Sequence, residues 1–281
     1  MHRISARQKV LVYAGLVLLA LFVLVPIWGL AYVAFDGAVK GWPVTFRLWP
    51  QQPTLAVFVK MWEKPAQSAT FVRLLRNSLF VSGGAAVLSV LFGASMAYAF
   101  ARYRFPGRQV GLFALLVGAL LPPVAFMTPL YILLGILKLR TTLLGLALVY
   151  TAFSMPFCIW NMRAAFTAVP NELEESAFLD GASAWTAFWR VTLPLALPSI
   201  AIAAVIAFLL GYSEFALGWL FVSRGQDLTL AMAISGIFED PQPQWSAMAA
   251  LALMMTVPVV ALFLVLQKYL LSGFSLGTVE S

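Results

Sequence analysis

The stretch VLVYAGLVLLALFVLVPIWGLAYVAF, from Val10 to Phe35, contains no charged residue and decides the class of fold. A transmembrane helix needs ~20 mostly apolar residues, because a rise of ~1.5 Å per residue must cross ~30 Å of hydrocarbon. The stretch is long enough, and it exceeds the ~7–15 apolar residues at the core of a signal peptide. We therefore predict a first transmembrane helix over residues 10–35 and not a cleaved leader.

Five further apolar runs follow, and Glu214 is the one charged residue that they contain; the runs cover residues 77–101, 109–137, 141–162, 191–222 and 241–267. Each run reaches the length that a membrane-spanning helix requires. The strands of a membrane β-barrel would be ~10 residues long with alternating polarity, so the runs exclude a barrel. We predict an all-α polytopic membrane protein with six transmembrane helices. The other five helices are predicted near residues 77–101, 110–136, 142–165, 196–222 and 245–270.

The composition of the whole chain agrees with this class, because 62% of its 281 residues are hydrophobic and 10% are charged. A soluble domain has ~45–50% apolar and ~25% charged residues, so the composition excludes a soluble enzyme and a disordered chain. Cys158 is the only cysteine and His2 the only histidine, which excludes an intrachain disulfide, a histidine-based metal site and a Ser-His-Asp triad. The net charge of +7 is spread between the apolar runs, which indicates contact with membrane lipid and not with nucleic acid.

The orientation in the membrane depends on the lysines and arginines that flank the helices. With the N-terminus inside, nine of these residues fall on each side, which is a tie. Six of the nine outer charges lie in the long segment 36–76, and long segments cross the membrane largely regardless of charge. Discounting that segment favours a cytoplasmic N-terminus. An even number of helices then places both termini in the cytoplasm.

Two segments carry signals of irregular structure. Prolines interrupt the third apolar run, and a proline removes a backbone donor and kinks a helix. Such breaks are tolerated in a membrane where neighbouring helices or a cavity satisfy the backbone, so they indicate either a transport pathway or kinked packing. In the loop after the first helix, apolar residues at helical spacing predict a short helix, either on the outer membrane surface or in a packed outer loop. These residues are Pro122, Pro123 and Pro129 in the run, and Leu55, Phe58, Val59 and Trp62 in the loop.

The segment 167–195 carries the most specific signals in the chain. Pro170 suits the start of a helix, and glutamates cluster in the first turn, where the helix dipole favours negative charge. Asp180-Gly181 predicts the end of that helix with a left-handed glycine, and Ser183 is a candidate cap for the next helix. The resulting cytoplasmic helix–turn–helix hairpin is either a bilayer anchor or a docking surface for a partner. Aromatic residues share one face of its second helix, namely Trp185, Phe188 and Trp189.

The same segment resembles the EAA motif of the permease subunits of ABC importers. That motif reads E-A-A, three residues, G, nine residues, I, one residue and L-P. The chain matches every gap, with mild departures at Ser176 (for Ala) and Val191 (for Ile). The form Asp180-Gly181-Ala182-Ser183 is similar to the carbohydrate branch, the MalG-like subunits of maltose-type importers. The residues that match the motif are Glu175-Ser176-Ala177, Gly181, Val191 and Leu193-Pro194.

The resemblance implies half of a transport channel in a bacterial or archaeal cytoplasmic membrane. A MalG-like subunit pairs with a MalF-like permease, two MalK-like ATP-binding subunits dock beneath the pair, and a binding protein delivers sugar from outside. The chain contains no G-x-x-x-x-G-K-[ST] motif, so we expect the partner subunits to hydrolyse ATP and this chain to bind no cofactor. The resemblance divides the chain into residues 1–70, the first helix and outer loop, and 71–281, the permease core. The residues implied to couple to the ATPase are Glu174, Glu175, Ser176, Ala177, Asp180, Gly181 and Ala182.

Glu214 is a candidate residue of the substrate path, because a carboxylate at the bilayer centre costs at least ~2.5–3.5 kcal/mol and marks a functional site by default. The stretch Tyr212-Ser213-Glu214-Phe215 also resembles an aromatic-Asn-acidic-Phe pattern of carbohydrate permeases. We expect Glu214 to face the translocation cavity or the partner permease, with Tyr212 beside it, and a position at the lipid edge is the alternative. Tyr131 and Tyr150 are able to stack on sugar rings, and packing in the core is the alternative for both.

Three further positions have a predicted place. Cys158 is expected to be a small buried packing residue. Arg163 is expected either to snorkel to the interface or to pair with a hairpin acid, Glu172 or Asp180. The C-terminal residues 277–281 either reach towards the ATPase or form a frayed terminus.

The sequence thus predicts a permease subunit, and not an enzyme, of an ATP-driven importer for a sugar such as a di- or oligosaccharide. A polyol or glycerol phosphate is the alternative solute, because the partner subunits carry much of the selectivity. An ion-coupled secondary transporter is the alternative from a different class, and it would show ionisable relays within the spans and symmetry between the halves. A membrane enzyme has less support, because the sequence clusters no nucleophile, base or metal site.

Overall fold

The computed structural model of the chain describes residues 5–39, 41, 47–66, 69–222, 225–240, 242 and 244–275. Helices joined by short turns make up most of this part of the chain. A 3₁₀ turn over Pro123–Phe126 precedes the fifth helix, and a π-helical turn over Phe188–Thr192 follows the eighth. The helices are α1 (Ala6–Phe35), α2 (Ala56–Glu63), α3 (Phe71–Arg102), α4 (Arg108–Leu120), α5 (Met127–Ile136), α6 (Leu143–Ala168), α7 (Asn171–Leu179), α8 (Ala184–Ala187), α9 (Leu193–Leu195), α10 (Leu197–Ser213), α11 (Ala216–Phe221), α12 (Leu230–Phe238) and α13 (Trp245–Ser275).

Four helices among the described residues are individually long and apolar enough to cross a membrane, namely α1, α3, α6 and α13. Two further bent helix pairs pass the same test, so the described part of the chain has up to six spans. One pair joins α4 to Pro123–Ile136 at 102°, and the other joins Ala184–Leu195 to α10 at 77°. The apolar runs therefore predict the membrane class correctly. The 102° bend falls inside the predicted helix 110–136, whereas the 77° bend lies at Ala196, where the predicted helix 196–222 begins.

The third predicted helix, 110–136, is broken where its prolines stand. The helix α4 ends at Leu120, and Pro122 and Pro123 start a 3₁₀ turn before α5. Proline has no amide hydrogen to donate and disfavours a helical residue before it, which accounts for the break. Pro129, by contrast, lies in the first turn of α5, where a missing donor leaves no bond unmade.

The fifth predicted helix, 196–222, is also interrupted, and here no proline is involved. The helix α10 ends at Ser213, and α11 begins at Ala216. Glu214 lies at the break with an extended backbone, and its side chain accepts hydrogen bonds from the amides of α11. The nine-residue helix α12 that follows was not predicted, because its apolar run is too short to span a membrane.

Contacts between helices divide the chain into two compact units, Met1–Phe71 with Ile234–Thr256, and Val72–Ala233 with Val257–Ser281. In the second unit α6 packs along α10. The buried hydroxyls of Ser89 on α3 and Ser154 on α6 form a hydrogen bond of 2.6 Å. Cys158 of α6 is fully buried, which confirms its predicted packing role.

The first unit confirms a short helix in the loop after α1, because α2 spans Ala56–Glu63. Trp62 is half exposed at its end and stacks on Phe71 with a ring separation of 5.3 Å. The start of α1 is fixed by a reciprocal cap, in which the Ser5 hydroxyl accepts the Gln8 amide and the Gln8 side chain accepts the Ser5 amide.

Asp36 ties the end of α1 to the loop that follows. This buried carboxylate accepts hydrogen bonds from the amides of Ala38, Gln51 and Gln52 at 2.9–3.0 Å, and from the Tyr32 hydroxyl. Burial alone would raise the pKa of Asp36, but these hydrogen bonds stabilise the charged form and lower the pKa below its ordinary 3.8. The ionised carboxylate therefore stabilises the folded loop.

Asp36→Asn is expected to lower the free energy of unfolding by about 1–3 kcal/mol at pH 7, because buried amides lose a charged acceptor. The pKa of Asp36 is lower in the folded chain, so its contribution is complete above the unfolded pKa and disappears as the pH falls through the folded pKa. Thermal unfolding of both proteins in detergent, measured from pH 7 downwards, checks this.

The matched control is Asp240→Asn, which changes an exposed aspartate that accepts one local amide. A stability difference between wild type and Asp36→Asn that is absent at pH 7, or equally large at the lowest pH, would contradict the role of the carboxylate.

Candidate functional site

The hairpin over residues 169–195 follows its predicted local rules. The helix α7 runs from Asn171 to Leu179 after Pro170, and Gly181 has a φ of 86°. The amide of Ala182 donates to the carbonyl of Ala177 at 2.9 Å, which closes the end of the helix. The Ser183 hydroxyl accepts the Thr186 amide at 3.2 Å and caps α8. The left-handed glycine and the serine cap are both confirmed.

Glu174 is the buried acid of the hairpin, with 6% of its surface exposed. Its Oε1 lies 2.9 Å from Arg102 Nε at the end of α3 and also accepts the hydroxyl of Thr192 in the second arm of the hairpin. Its Oε2 accepts the Tyr98 hydroxyl of α3 at 3.1 Å. One carboxylate therefore joins both arms of the hairpin to α3.

Arg102 uses the rest of its guanidinium group on the same hairpin. Nη1 donates to Asn171 Oδ1 at 2.7 Å, and Nη2 donates to the carbonyl of Val169 at 2.9 Å. Hydrogen bonds from one rigid planar guanidinium to three acceptors fix both the distance and the orientation of the hairpin relative to α3. The first turn of α7 is thereby held against the last turn of α3.

The predicted aromatic stripe of the second arm is divided between two environments. Phe188 is 5% exposed and packs against the rings of Tyr98 and Phe166, at 4.7 and 6.0 Å. Trp185 is 67% exposed, and Trp189 is also exposed. A stripe at helical spacing presumes one continuous α-helix, whereas the arm changes to a π-helical turn at Phe188. Of the three aromatic residues, only Phe188 is therefore buried in the core.

The residues implied to couple to an ATPase lie on two sides of the hairpin. Glu174 faces inward as described, whereas Ala177 and Ala182 are half-buried. Leu179 lies on the outer side, with 90% of its surface exposed. An apolar side chain in that position is a candidate contact for a partner. The remaining residues of the set are exposed: Glu175, Ser176, Asp180 and Gly181.

Of the two alternatives for Arg163, the pairing with Glu172 or Asp180 is wrong. Arg163 Nε donates to the carbonyl of Phe100 at 3.4 Å, and its guanidinium lies 5.6 Å from the ring centre of Trp160. Arg102, which directly follows the predicted helix 77–101, makes the ion pair with the hairpin instead. In the sequence, Arg102 stands out only as one of several arginines in the turn before α4. This clustering does not indicate which residue Arg102 pairs with.

The three candidate residues of the substrate path have separate environments. The Glu214 carboxylate accepts the Tyr150 hydroxyl and the amides of Leu217 and Gly218, at 3.0 and 3.4 Å for the amides. Tyr212 is buried and stacks on Phe208 at 5.2 Å. Tyr131 is half exposed and lies under the Arg140 guanidinium at 4.5 Å. Glu214 thus caps the broken fifth span, and a role of these residues in binding substrate stays a prediction.

Comparison with known proteins identifies the class of this arrangement. A family model described as "binding-protein-dependent transport system inner membrane component" matches residues 89–275. The chain belongs to this family. The match includes the C-terminal part of α3, the helices α4 to α6, the whole hairpin and the helices that follow it. The permease is therefore a multi-pass membrane component of a transport system, as the sequence predicted.

Two curated relatives and one solved structure illustrate the similarity. The trehalose transport system permease protein SugB of Mycobacterium tuberculosis is 31% identical over 215 residues, which cover 75% of this chain and 77% of SugB. The maltodextrin transport system permease protein MdxG of Bacillus subtilis is 28% identical over 281 residues, which cover 99% of both chains. The solved structure is a bacterial ABC transporter involved in the import of the acidic polysaccharide alginate. One of its chains has a TM-score of 0.75 and 22% identity, over 96% of this chain and 99% of that chain.

These similarities confirm the ABC importer permease class, and the last one confirms the fold. The family is defined by transport and not by catalysis, in agreement with the prediction that the chain is not an enzyme. Membership in a binding-protein-dependent system also decides against the ion-coupled secondary transporter.

Glu174→Ala is expected to destabilise the permease by about 3–5 kcal/mol, because it leaves the Arg102 guanidinium buried without its counter-charge. The double variant Glu174→Ala/Arg102→Ala is expected to lose less stability than the sum of the losses in the two single variants. Thermal unfolding of the purified protein in detergent measures both effects.

Glu175→Ala is the matched control, since Glu175 is the exposed neighbour of Glu174. Its free energy of unfolding is expected to stay within about 0.5 kcal/mol of wild type. Equal losses for Glu174→Ala and Glu175→Ala, or strictly additive single losses, would refute the buried pair.

Proposed function

We propose that the permease forms half of the translocation path of an ATP-driven importer that carries a sugar, a di- or oligosaccharide, across the cytoplasmic membrane. A second permease of the same family forms the other half. Two separate ATP-binding subunits dock on the cytoplasmic side, and a sugar-binding protein delivers the substrate from outside. Both termini of the chain lie in the cytoplasm.

The names of the two curated relatives support a sugar as the substrate. One transports trehalose, a disaccharide, and the other transports maltodextrin, an oligosaccharide. Similarity to MdxG extends over nearly the whole of both chains, so it includes α1 and the outer loop as well as the hairpin. The absence of a G-x-x-x-x-G-K-[ST] motif in this sequence supports hydrolysis of ATP by separate subunits, with no cofactor held by this chain.

The observation that carries the proposed coupling is the buried attachment of the hairpin to α3 through Glu174 and Arg102. A surface that transmits force needs one side bound to the moving spans and another side open to the partner. Glu174 supplies the bound side, and Glu175, Ser176, Asp180 and the exposed Leu179 supply the open side. Closure of the ATPase subunits would then displace α7 and α3 together.

The substrate path is proposed to run beside the break in the fifth span. Glu214 and Tyr150 fix this break, and Tyr212 precedes it by half a turn. Breaks of this kind are tolerated in membranes where the freed backbone groups are satisfied, as Glu214 does for Leu217 and Gly218. Tyr131 is a proposed sugar contact, because its half-exposed ring is available on one side for stacking. The C-terminal residues 277–281 lie outside the described residues, so their contact with the ATPase stays a prediction.

Reconstitution tests the proposal. The permease is purified with the subunits that remain bound in mild detergent, placed in liposomes with its binding protein, and supplied with ATP and radiolabelled solutes. Uptake of a di- or oligosaccharide that requires ATP is the expected result. Uptake of glycerol phosphate or a polyol in preference to every sugar would refute the substrate class, and sugar uptake without ATP would refute the energy source.

Gly181→Val is expected to uncouple the hairpin, because Gly181 has a φ of 86° and a β-branched residue there costs about 1–2 kcal/mol or more. No other atom lies within 4 Å of an added Cβ, so the strain comes from the backbone alone. Gly181→Asn is the control, since asparagine tolerates the left-handed conformation. Sugar-stimulated ATP hydrolysis should fall strongly in the valine variant and stay near wild type in the asparagine variant. Equal activity of the two variants would contradict a conformational role for Gly181.

A further inference from the structure

A second polar feature lies on the hairpin side of the permease, where α3 ends and α4 begins. A cleft of about 580 Å³ opens there, and the side chains of Arg104, Arg108 and Arg163 line it. We call it the arginine cleft. It contains no carboxylate among its lining residues. Arg102, which holds Glu174, lies two residues before Arg104, so the arginine cleft and the hairpin share one side of the membrane.

The three guanidinium groups lack a negative partner within the described part of the chain. Arg108 Nε and Arg163 Nε both donate to one neutral acceptor, the carbonyl of Phe100, at 3.0 and 3.4 Å. Arg104 is exposed, and no carboxylate of the described residues lies within ion-pair distance of any of the three. Like charges brought together in a partly desolvated cleft repel one another, and an anion would offset that repulsion.

The backbone adds positive potential at the same place. Gly107 starts α4 with a φ of 83°, no side chain caps the helix, and its first turn contains no acidic residue. The N-terminus of a helix presents free amides and the positive end of the dipole, which favours anions and phosphate above all. The N-terminus of α4 and the three arginines therefore line the same cleft.

The surroundings distinguish a lipid from a free ion. Val110 and Phe113 on α4 and Phe105 in the turn are exposed, and α4 has no fully buried side chain among its 13 residues. Trp160, which lies against Arg163, is also partly exposed. A phospholipid with its phosphate in the arginine cleft would lay its acyl chains on this apolar flank, whereas free phosphate would leave the flank unused.

We propose that the arginine cleft binds the phosphate of an anionic phospholipid in the membrane leaflet on the hairpin side. The bound phosphate would accept hydrogen bonds from the guanidinium groups of Arg104, Arg108 and Arg163. Both Arg108 and Arg163 hold the carbonyl of Phe100, two residues from Arg102, so the lipid would sit directly beside the attachment of the hairpin.

Native mass spectrometry of the full-length permease, with whatever subunits remain bound, tests the proposal. Phosphatidylglycerol is titrated against phosphatidylcholine for wild type and for the triple variant Arg104→Gln/Arg108→Gln/Arg163→Gln. Wild type should prefer phosphatidylglycerol, and each arginine removed should weaken its binding about fivefold. Arg190→Gln removes one positive charge from the exposed hairpin surface, as Arg104→Gln does from the arginine cleft, and should leave lipid binding unchanged.

Three results would overturn the proposal: equal affinity of wild type for the two lipids, full affinity of the triple variant for phosphatidylglycerol, or an equal loss in Arg190→Gln. Displacement of phosphatidylglycerol by an equal concentration of inorganic phosphate would also overturn it, since the arginine cleft would then be a free-anion site. If the triple variant fails to assemble, Arg104→Gln alone gives the answer, because Arg104 is exposed and its replacement should still weaken binding about fivefold.

Discussion

The ion pair between Arg102 and Glu174 is the interaction on which the functional surface of the permease depends. Burying two charges costs several kcal/mol per ion, and only good geometry and further hydrogen bonds repay that cost. Both conditions are met, since Tyr98 and Thr192 donate to the carboxylate while Asn171 and Val169 accept from the guanidinium. The pair therefore fixes the hairpin at one position on α3. The position of the exposed side of the hairpin is set by the same attachment.

The membrane imposes the second constraint, because backbone groups without partners are costly in hydrocarbon. The chain meets it differently at its two broken spans. Pro122 and Pro123 lack the amides that would continue α4, so the helix ends there and a 3₁₀ turn follows. At the fifth span the Glu214 side chain accepts the amides of the next helix, so a charged residue serves as a cap inside an apolar stretch. The cost of a carboxylate in this region is offset by the hydrogen bonds that it makes possible.

Sequence reasoning predicts the local features of this molecule well and its long-range partners poorly. Apolar length locates every long span, and the conformational freedom of glycine identifies Gly181, because both depend on neighbouring residues. The partner of Glu174 lies 72 residues away, and no periodicity relates the two positions. The same limitation applies to Glu214 and Tyr150, which are 64 residues apart, and to Arg163 and its acceptor Phe100, which are 63 residues apart. The π-helical turn that begins at Phe188 was not predicted, because the helical pattern assumes 3.6 residues per turn.

Site-directed crosslinking tests the central claim that the hairpin couples the spans to an ATPase. Cys158 is fully buried, so Leu179→Cys introduces a thiol that is far more accessible to a photoactivatable crosslinker. Phe22→Cys, exposed in the middle of α1, serves as the matched control. We predict that Leu179→Cys in native membranes crosslinks to a subunit with the G-x-x-x-x-G-K-[ST] motif and that Phe22→Cys does not. A Leu179→Cys variant that is labelled but yields no such adduct, or the same adducts as Phe22→Cys, would contradict the account.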